Sequence, residues 1–269
     1  MGVDICVDEQ PLQMPPQPSR SAGRPAPRQA TPAAARVVAS PANDKPPPAA
    51  PASERVLSAR QIAAGAPDLV ALRQAVEQFD GCPLKATATR LCFADGNPGA
   101  QVMMIGEAPG LEEDRQGKPF VGASGQLLDR MLARIGLDRQ QVYITNTVFW
   151  RPPGNRTPTT VEVAICQPFL ERQIELIGPK LLMLVGASAA SVLLGRQEGV
   201  TKLRGRWLEY QPSFAGPPIP ALVTFHPAYL LRQPLQKKLV WRDLLSLRTE
   251  LGPLGLDANV GNDGGAAAD

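Results

Sequence analysis

The sequence predicts a layered α/β fold built on a parallel sheet, and three observations predict it. Short apolar runs alternate with helical patterns across the central part of the chain. Four of these runs, residues 101–107, 142–147, 181–186 and 222–226, are apolar and bounded by Gly, Pro or Asn, as strands covered on both faces are. The segments between them place apolar residues at helical spacing.

Taken in order, residues 1–58 are crowded with Pro and Ala, as in Pro46-Pro47-Pro48-Ala49-Ala50-Pro51, and carry almost no aromatics. Such a stretch buries too little apolar surface to offset its ordering entropy, so a disordered, partly polyproline-like arm is expected. Residues 59–251 are expected to make a single folded domain, and 252–269, rich in Gly, Ala and Asp, read as a flexible tail. Residues 68–79 suit an outer helix. Ser124 is placed to cap a helix over 125–135, where Leu127, Leu128, Met131, Leu132 and Ile135 share a face that ends at Gly136. Thr159 and Glu162 have capping-box spacing at the start of a helix reaching residue 177, which Pro168 is expected to kink or divide. Further helices are expected over 187–194 and 241–251.

Composition narrows the function classes. No run approaches the roughly 20 apolar residues that span a bilayer. The first residues lack the basic and apolar segments of a signal peptide, so a cytoplasmic protein with reduced cysteines is expected. The formal net charge is only +3, but two cationic clusters stand out: Arg196, Lys202, Arg204 and Arg206, then Arg232, Lys237, Lys238 and Arg242. These suit phosphate contacts, or an ordinary solvated surface.

Three loops leave carboxyl ends of the expected strands, where open parallel sheets bind ligands. The first, 106–122, carries Gly106, Pro109 and Gly110 beside Glu107, Glu112, Glu113 and Asp114, which reads either as backbone closely approaching a ligand or as a plain acidic connection. The second, 146–158, begins with Asn146, whose amide offers a donor and an acceptor, for a base edge or for capping a turn. The third, 226–234, opens on His226, the single histidine of the chain, followed by Pro227, Leu230, Leu231 and Arg232. Leucines beside a cation suit entry into a base stack, or they are plain core.

Five segments resemble, in order, the family 4 uracil-DNA glycosylases: Gly106-Glu107-Ala108-Pro109-Gly110, Gly117-x-Pro119-Phe120-Val121-Gly122, Arg151-Pro152-Pro153-x-Asn155-Arg156, Leu203-Arg204-Gly205 and His226-Pro227-x-x-Leu230-Leu231-Arg232. The resemblance implies a three-layer α/β/α sandwich with a four-stranded parallel sheet. It implies flipping of uracil out of DNA and hydrolysis of its N-glycosidic bond in base-excision repair. Phe120 would stack on the base, Asn146 would bond its edge, and His226 would face O2 and stabilise the departing anion. Glu107 and Ala108 would line the pocket through backbone groups, and Glu113 is the candidate for positioning water. Leu230, with Leu231 beside it, would fill the hole left by the base, while Arg232 and Arg204 would contact DNA. Uracil-containing DNA is the expected partner of a monomer, with a repair protein on the arm as a further partner.

The sequence departs from that family at its iron–sulfur cluster. The four ligand positions read Phe79, Cys82, Trp150 and Cys166, and two thiolates do not hold a [4Fe–4S] cluster in the usual way. The expectation is no cofactor and no metal, with Phe79 packed on Trp150 as an apolar plug and Cys82 near Cys166. A degenerate cluster completed by Cys92 is the rival. The loss also admits a non-catalytic module that binds DNA or a repair partner, or a glycosylase for another deaminated base.

Overall fold

The computed structural model describes residues 51–255, all within one compact unit. In chain order come α1 (Ala52–Ala64), α2 (Leu69–Gln78), β1 (Asp95–Gly96), β2 (Val102–Gly106), α3 (Leu111–Gln116), α4 (Ala123–Ala133), β3 (Val142–Asn146), α5 (Thr160–Ile177) and β4 (Leu181–Val185). There follow α6 (Ala187–Leu194), α7 (Val200–Leu203), β5 (Trp207–Tyr210), β6 (Ile219–Thr224), α8 (Pro227–Arg232) and α9 (Lys237–Leu251).

The sheet has six strands in the order β1-β3-β2-β4-β6-β5, and it is mixed. The four expected strands form its parallel centre, while β1 and β5 pair antiparallel at the two edges. The expectation of a four-stranded parallel sheet is thus corrected. An edge strand covered on fewer sides carries no continuous apolar run: β1 is two residues long, and β5 is only partly buried. Alternate residues of the central strands feed opposite cores. Met103 and Ile105 of β2 join Phe149, Ile165 and Phe169 on one face, whereas Val102 and Met104 join Leu128, Leu132, Leu244 and Leu247 on the other.

Three helical expectations are also corrected. Helix α1 begins at Ala52, inside the expected arm, because Ala59 and Ala63 bury against α5. At the other end Gly252–Leu254 form a single 3-10 turn, and the rest of the arm and tail lie outside the described residues. Pro168 does not divide α5, which runs unbroken for 18 residues. Its neighbours Cys166, Phe169 and Leu170 are buried, so tertiary packing outweighs the missing N–H. The capping box at its start forms as expected: Glu162 N donates to Thr159 Oγ1 at 3.3 Å, and Thr159 N donates to Glu162 Oε2 at 2.7 Å.

Ser124 does not cap α4. The helix begins two residues earlier, after Gly122, and its start is satisfied from another element. Glu113 Oε1 accepts from Val121 N at 3.0 Å and from Gly122 N at 2.8 Å.

Arg204 is not a free cation. Its guanidinium bonds both oxygens of Asp243, whose side chain is 1% exposed, and donates to Leu239 O at 2.9 Å. Thr224 donates to the same carboxylate at 2.7 Å. Gly205 takes φ +71°, and a Cβ there would lie 2.8 Å from Asp243 Oδ1. The Leu203-Arg204-Gly205 segment therefore fastens α9 to β6, with the Nε and Nη2 donors of Arg204 committed inside the fold. Removing one partner strands a buried charge, which typically costs about 3–5 kcal/mol. Arg204→Ala is expected to lower the urea midpoint by an amount of that order. The salt dependence of DNA binding should stay unchanged, as measured by fluorescence anisotropy across a salt series.

Candidate active site

The loops after β2, β3 and β6 meet at a cavity of about 500 Å³, lined by Glu107, Ala108, Glu113, Phe120, Asn146, His226, Tyr229 and Arg232 among others. Phe120, Asn146 and His226, drawn from three separate loops, share this one cavity. Two of the loops are partly helical, since α3 lies within 106–122 and α8 follows His226 directly.

Asn146 is the last residue of β3 and pairs in register with Gly106 of β2. It is 1% exposed, and its Oδ1 is buried without a hydrogen-bond partner. An unmet buried acceptor is costly, so a group in that position points to a ligand that donates to it. Gly106 makes the approach possible: a Cβ there would lie 2.4 Å from Asn146 Oδ1 and 2.5 Å from Phe120 Cζ.

Phe120 adopts φ +54°, a left-handed backbone uncommon for a bulky residue. Its ring stacks on the imidazole of His226, with centroids 5.5 Å apart and planes at 29°. His226 caps α8 through its side chain: Nδ1 accepts from Ala228 N at 3.1 Å. The acceptor nitrogen carries no proton, so the neutral ring bears its hydrogen on Nε2. Burial, helped by the Arg232 charge and opposed by Glu113, pushes the imidazole pKa down to about 4. His226 is therefore a neutral donor at physiological pH.

The two carboxylates lining the cavity differ. Glu113 is buried, and it accepts from Gly110 N at 3.1 Å as well as from Val121 N and Gly122 N. Engaged by three backbone amides, it holds the first loop in shape while lining the cavity. Glu107 has its carbonyl taken by Thr147 Oγ1 at 2.6 Å and Val148 N at 3.3 Å, while the residue lines the cavity. Burial raises that carboxyl's pKa, partly offset by the Thr157 hydroxyl. Ala108 lines the wall beside it.

The two leucines separate cleanly. Leu230 is fully buried in the core under α4 and α9, so its expected entry into DNA is corrected, while Leu231 is 44% exposed next to Arg232 on the cavity rim. Helical geometry after the Pro227 start turns neighbouring side chains about 100° apart, which the loop-like reading of this segment did not anticipate. Sequence reasoning also missed Leu235, 83% exposed on the next turn, and Arg139, which grips the backbone of Phe120. Arg139 lies outside every motif and carries no sequence signal.

At the expected cluster positions, Cys166 Sγ lies 3.8 Å from Cys82 Sγ, and both thiols are buried. Phe79 does not pack on Trp150. It meets Phe169 of α5 edge-on at 5.2 Å, and Trp150 meets its chain neighbour Phe149 at 6.3 Å. Cys92 donates to Glu113 O at 2.9 Å, and burial pushes its thiol up to about 12. Among the described residues no three His, Cys, Asp or Glu side chains converge as metal ligands, and these positions do not fit a four-thiolate cluster.

Comparison with known proteins agrees with this geometry. The chain is 42% identical over 158 residues to a Type-4 uracil-DNA glycosylase of Thermotoga maritima, covering 58% of this chain and 80% of the relative. It is 40% identical over 181 residues to a Type-4 enzyme of Pyrobaculum aerophilum, covering 66% and 91%. A Type-5 uracil-DNA glycosylase of that organism is 33% identical over 114 residues, covering 37% and 50%. The model of the uracil DNA glycosylase superfamily matches residues 93–245, a stretch holding all three cavity loops, and the chain belongs to that superfamily.

Proposed function

We propose that this chain is a uracil-DNA glycosylase, and the observation that carries the reading is the unpartnered Oδ1 of Asn146 beside an aromatic plane and a neutral imidazole donor. A flipped uracil presents N3–H to Asn146 Oδ1 and O4 to Nδ2. Cytosine offers a bare N3 and an amino group, so both contacts would oppose it. Phe120 supplies the stacking face, and Nε2–H of His226 meets O2.

Cleavage of the bond between C1′ and N1 leaves its electron pair on the base, and the charge spreads to O2. A preformed neutral donor there stabilises the developing anion without first surrendering a charge of its own. Water then adds to C1′. With Glu113 engaged by backbone amides, the orientation of that water falls to Glu107. Leu231, exposed beside Arg232, takes the place vacated by the base, and Lys237 and Lys238 supply phosphate contacts on the same side of the chain. Expression as a monomer without an iron–sulfur cluster completes the reading. The contact between Cys82 and Cys166, and the aromatic fillings at Phe79 and Trp150, support it.

Full-length protein incubated with an oligonucleotide bearing one U·G mismatch, then alkali, should cleave at the uracil. His226→Ala and Asn146→Ala should each lower the single-turnover rate by about a hundredfold or more. Tight binding without excision would make the chain a recognition module, and excision only at hypoxanthine would move the lesion.

Because His226 is the single histidine, proton NMR of the untagged protein reads its titration directly. The ring resonances should stay constant from pH 8 to about 5.5 and move around pH 4. With the folded value below the free value of about 6.5, the folded chain binds fewer protons, so this group costs stability as pH falls from about 6.5 toward 4. A midpoint near 6.5 would remove the neutral donor.

Protein made under iron-replete conditions should show no absorbance band near 400 nm. A band there would restore the cluster.

A further inference from the structure

We propose that Arg139 is a positioning residue for the reaction: it latches the Phe120 backbone in its left-handed conformation, which aims the stacking ring into the cavity. The inference rests on the glycosylase reading only in treating the Phe120 ring as the stacking face. Arg139 sits between α4 and β3 and contributes nothing to the cavity wall.

All five guanidinium donors are committed. Nη1 donates to Pro119 O at 3.2 Å and to Asp95 Oδ2 at 2.7 Å. Nη2 donates to Phe120 O and, at 3.3 Å, to Asp129 Oδ2, while Nε donates to Asp129 Oδ1 at 2.9 Å. A guanidinium has five N–H groups, so none remains for a DNA phosphate. Its two carboxylate partners anchor it from opposite sides, Asp95 on the edge strand β1 and Asp129 on α4. The remaining bonds fall on the carbonyls of the two residues that carry the turn.

The opposite side of that turn is closed as well. A Cβ at Gly125 would lie 1.7 Å from Phe120 O, so α4 presses its bare backbone against the carbonyl that Arg139 holds. The φ of +54° at Phe120 is unfavourable for a bulky residue and needs surroundings that enforce it. With the latch removed, the backbone relaxes toward negative φ. The ring then leaves its place between Gly106 and His226, where a Cβ at Gly106 would touch it.

The test is a double-mutant cycle on full-length protein with Arg139→Met, Phe120→Ala and the combination, measured by single-turnover excision and by inhibition with free uracil. Stacking is worth about 0.5–1.5 kcal/mol, so Arg139→Met should raise the half-saturating substrate concentration and the uracil inhibition constant roughly twofold to tenfold. In the Phe120→Ala background the same change should add nothing, because the ring it positions is gone. Arg139→Lys, which lacks the fork, should restore little. Asp129→Asn, at a half-exposed partner, is the milder variant should Arg139→Met fail to fold, and should shift the same two constants in the same direction. Full additivity in the cycle, or unchanged constants in Arg139→Met, would overturn the proposal. Hydrogen exchange over residues 119–122 needs no substrate. It should quicken in Arg139→Met even if wild-type protein proves inactive on uracil, a result that would sink the functional reading alone, and unchanged exchange would sink the latch.

Discussion

The site depends on a missing methyl group. Gly106 ends β2 at the point where parallel pairing sets it against Asn146 of β3, and the ring of Phe120 lies over the same spot. Any side chain at position 106 would overlap both the amide oxygen and the ring edge within 2.5 Å. One bare backbone position therefore lets a hydrogen-bonding edge and a stacking plane come together at right angles of function, one reading the rim of a base and the other its face. The strands beneath are fully buried, so this register has no freedom to slip: a one-residue shift would turn every core residue of β2 to the wrong face.

Charge is arranged around that pocket so that none stands where the reaction's own charge appears. The imidazole is kept neutral by burial and by Arg232, and its tautomer is set by the Ala228 amide at the start of α8. Glu113, which as a free carboxylate would repel a departing anion, is enclosed by three amides of its own loop. The same carboxylate fixes the turn into α4, so one buried charge both shapes the first loop and starts the helix behind Phe120.

The four central strands and most helices were legible because burial on both sheet faces writes continuous apolar runs, and a buried helix face writes a 3.6-residue period. The edges were not, because two residues of antiparallel pairing at Asp95–Gly96 have no period to detect. Within the site, Phe120 and His226 were legible from the ordered motifs and Asn146 from its place at the end of an expected strand. What each neighbour does was not. Leu230 and Leu231 are alike in sequence and opposite in fate, since the short helix α8 turns one inward and the other out. Arg204 reads in sequence as a surface cation, and nothing there shows that Asp243, distant in sequence, takes its Nε and Nη2 donors. Glu113 and Arg139 act through backbone atoms of other segments, and a sequence records no backbone partner.

The same logic extends to the region around Cys82 and Cys166. Phe79 and Trp150 each join the large core through an aromatic neighbour, Phe169 and Phe149, and Cys82 touches Cys166 across the space between α5 and the chain before β1. That core reaches the cavity loops through Val148, Phe149 and Trp150 after β3, and through the ion pair of Arg156 with Glu162 of α5. Cys92 accepts no side-chain partner from the pocket: its amide bonds Phe149 O at 2.9 Å and its thiol bonds Glu113 O. Apolar packing at Phe79 and Trp150 ties α5, the chain ahead of the sheet and the loop after β3 into one core, with the backbone at Phe149 and Glu113 held by Cys92. The functional groups hang from the strand ends that this core supports, so the packing around α5 and the shape of the cavity are held by the same residues.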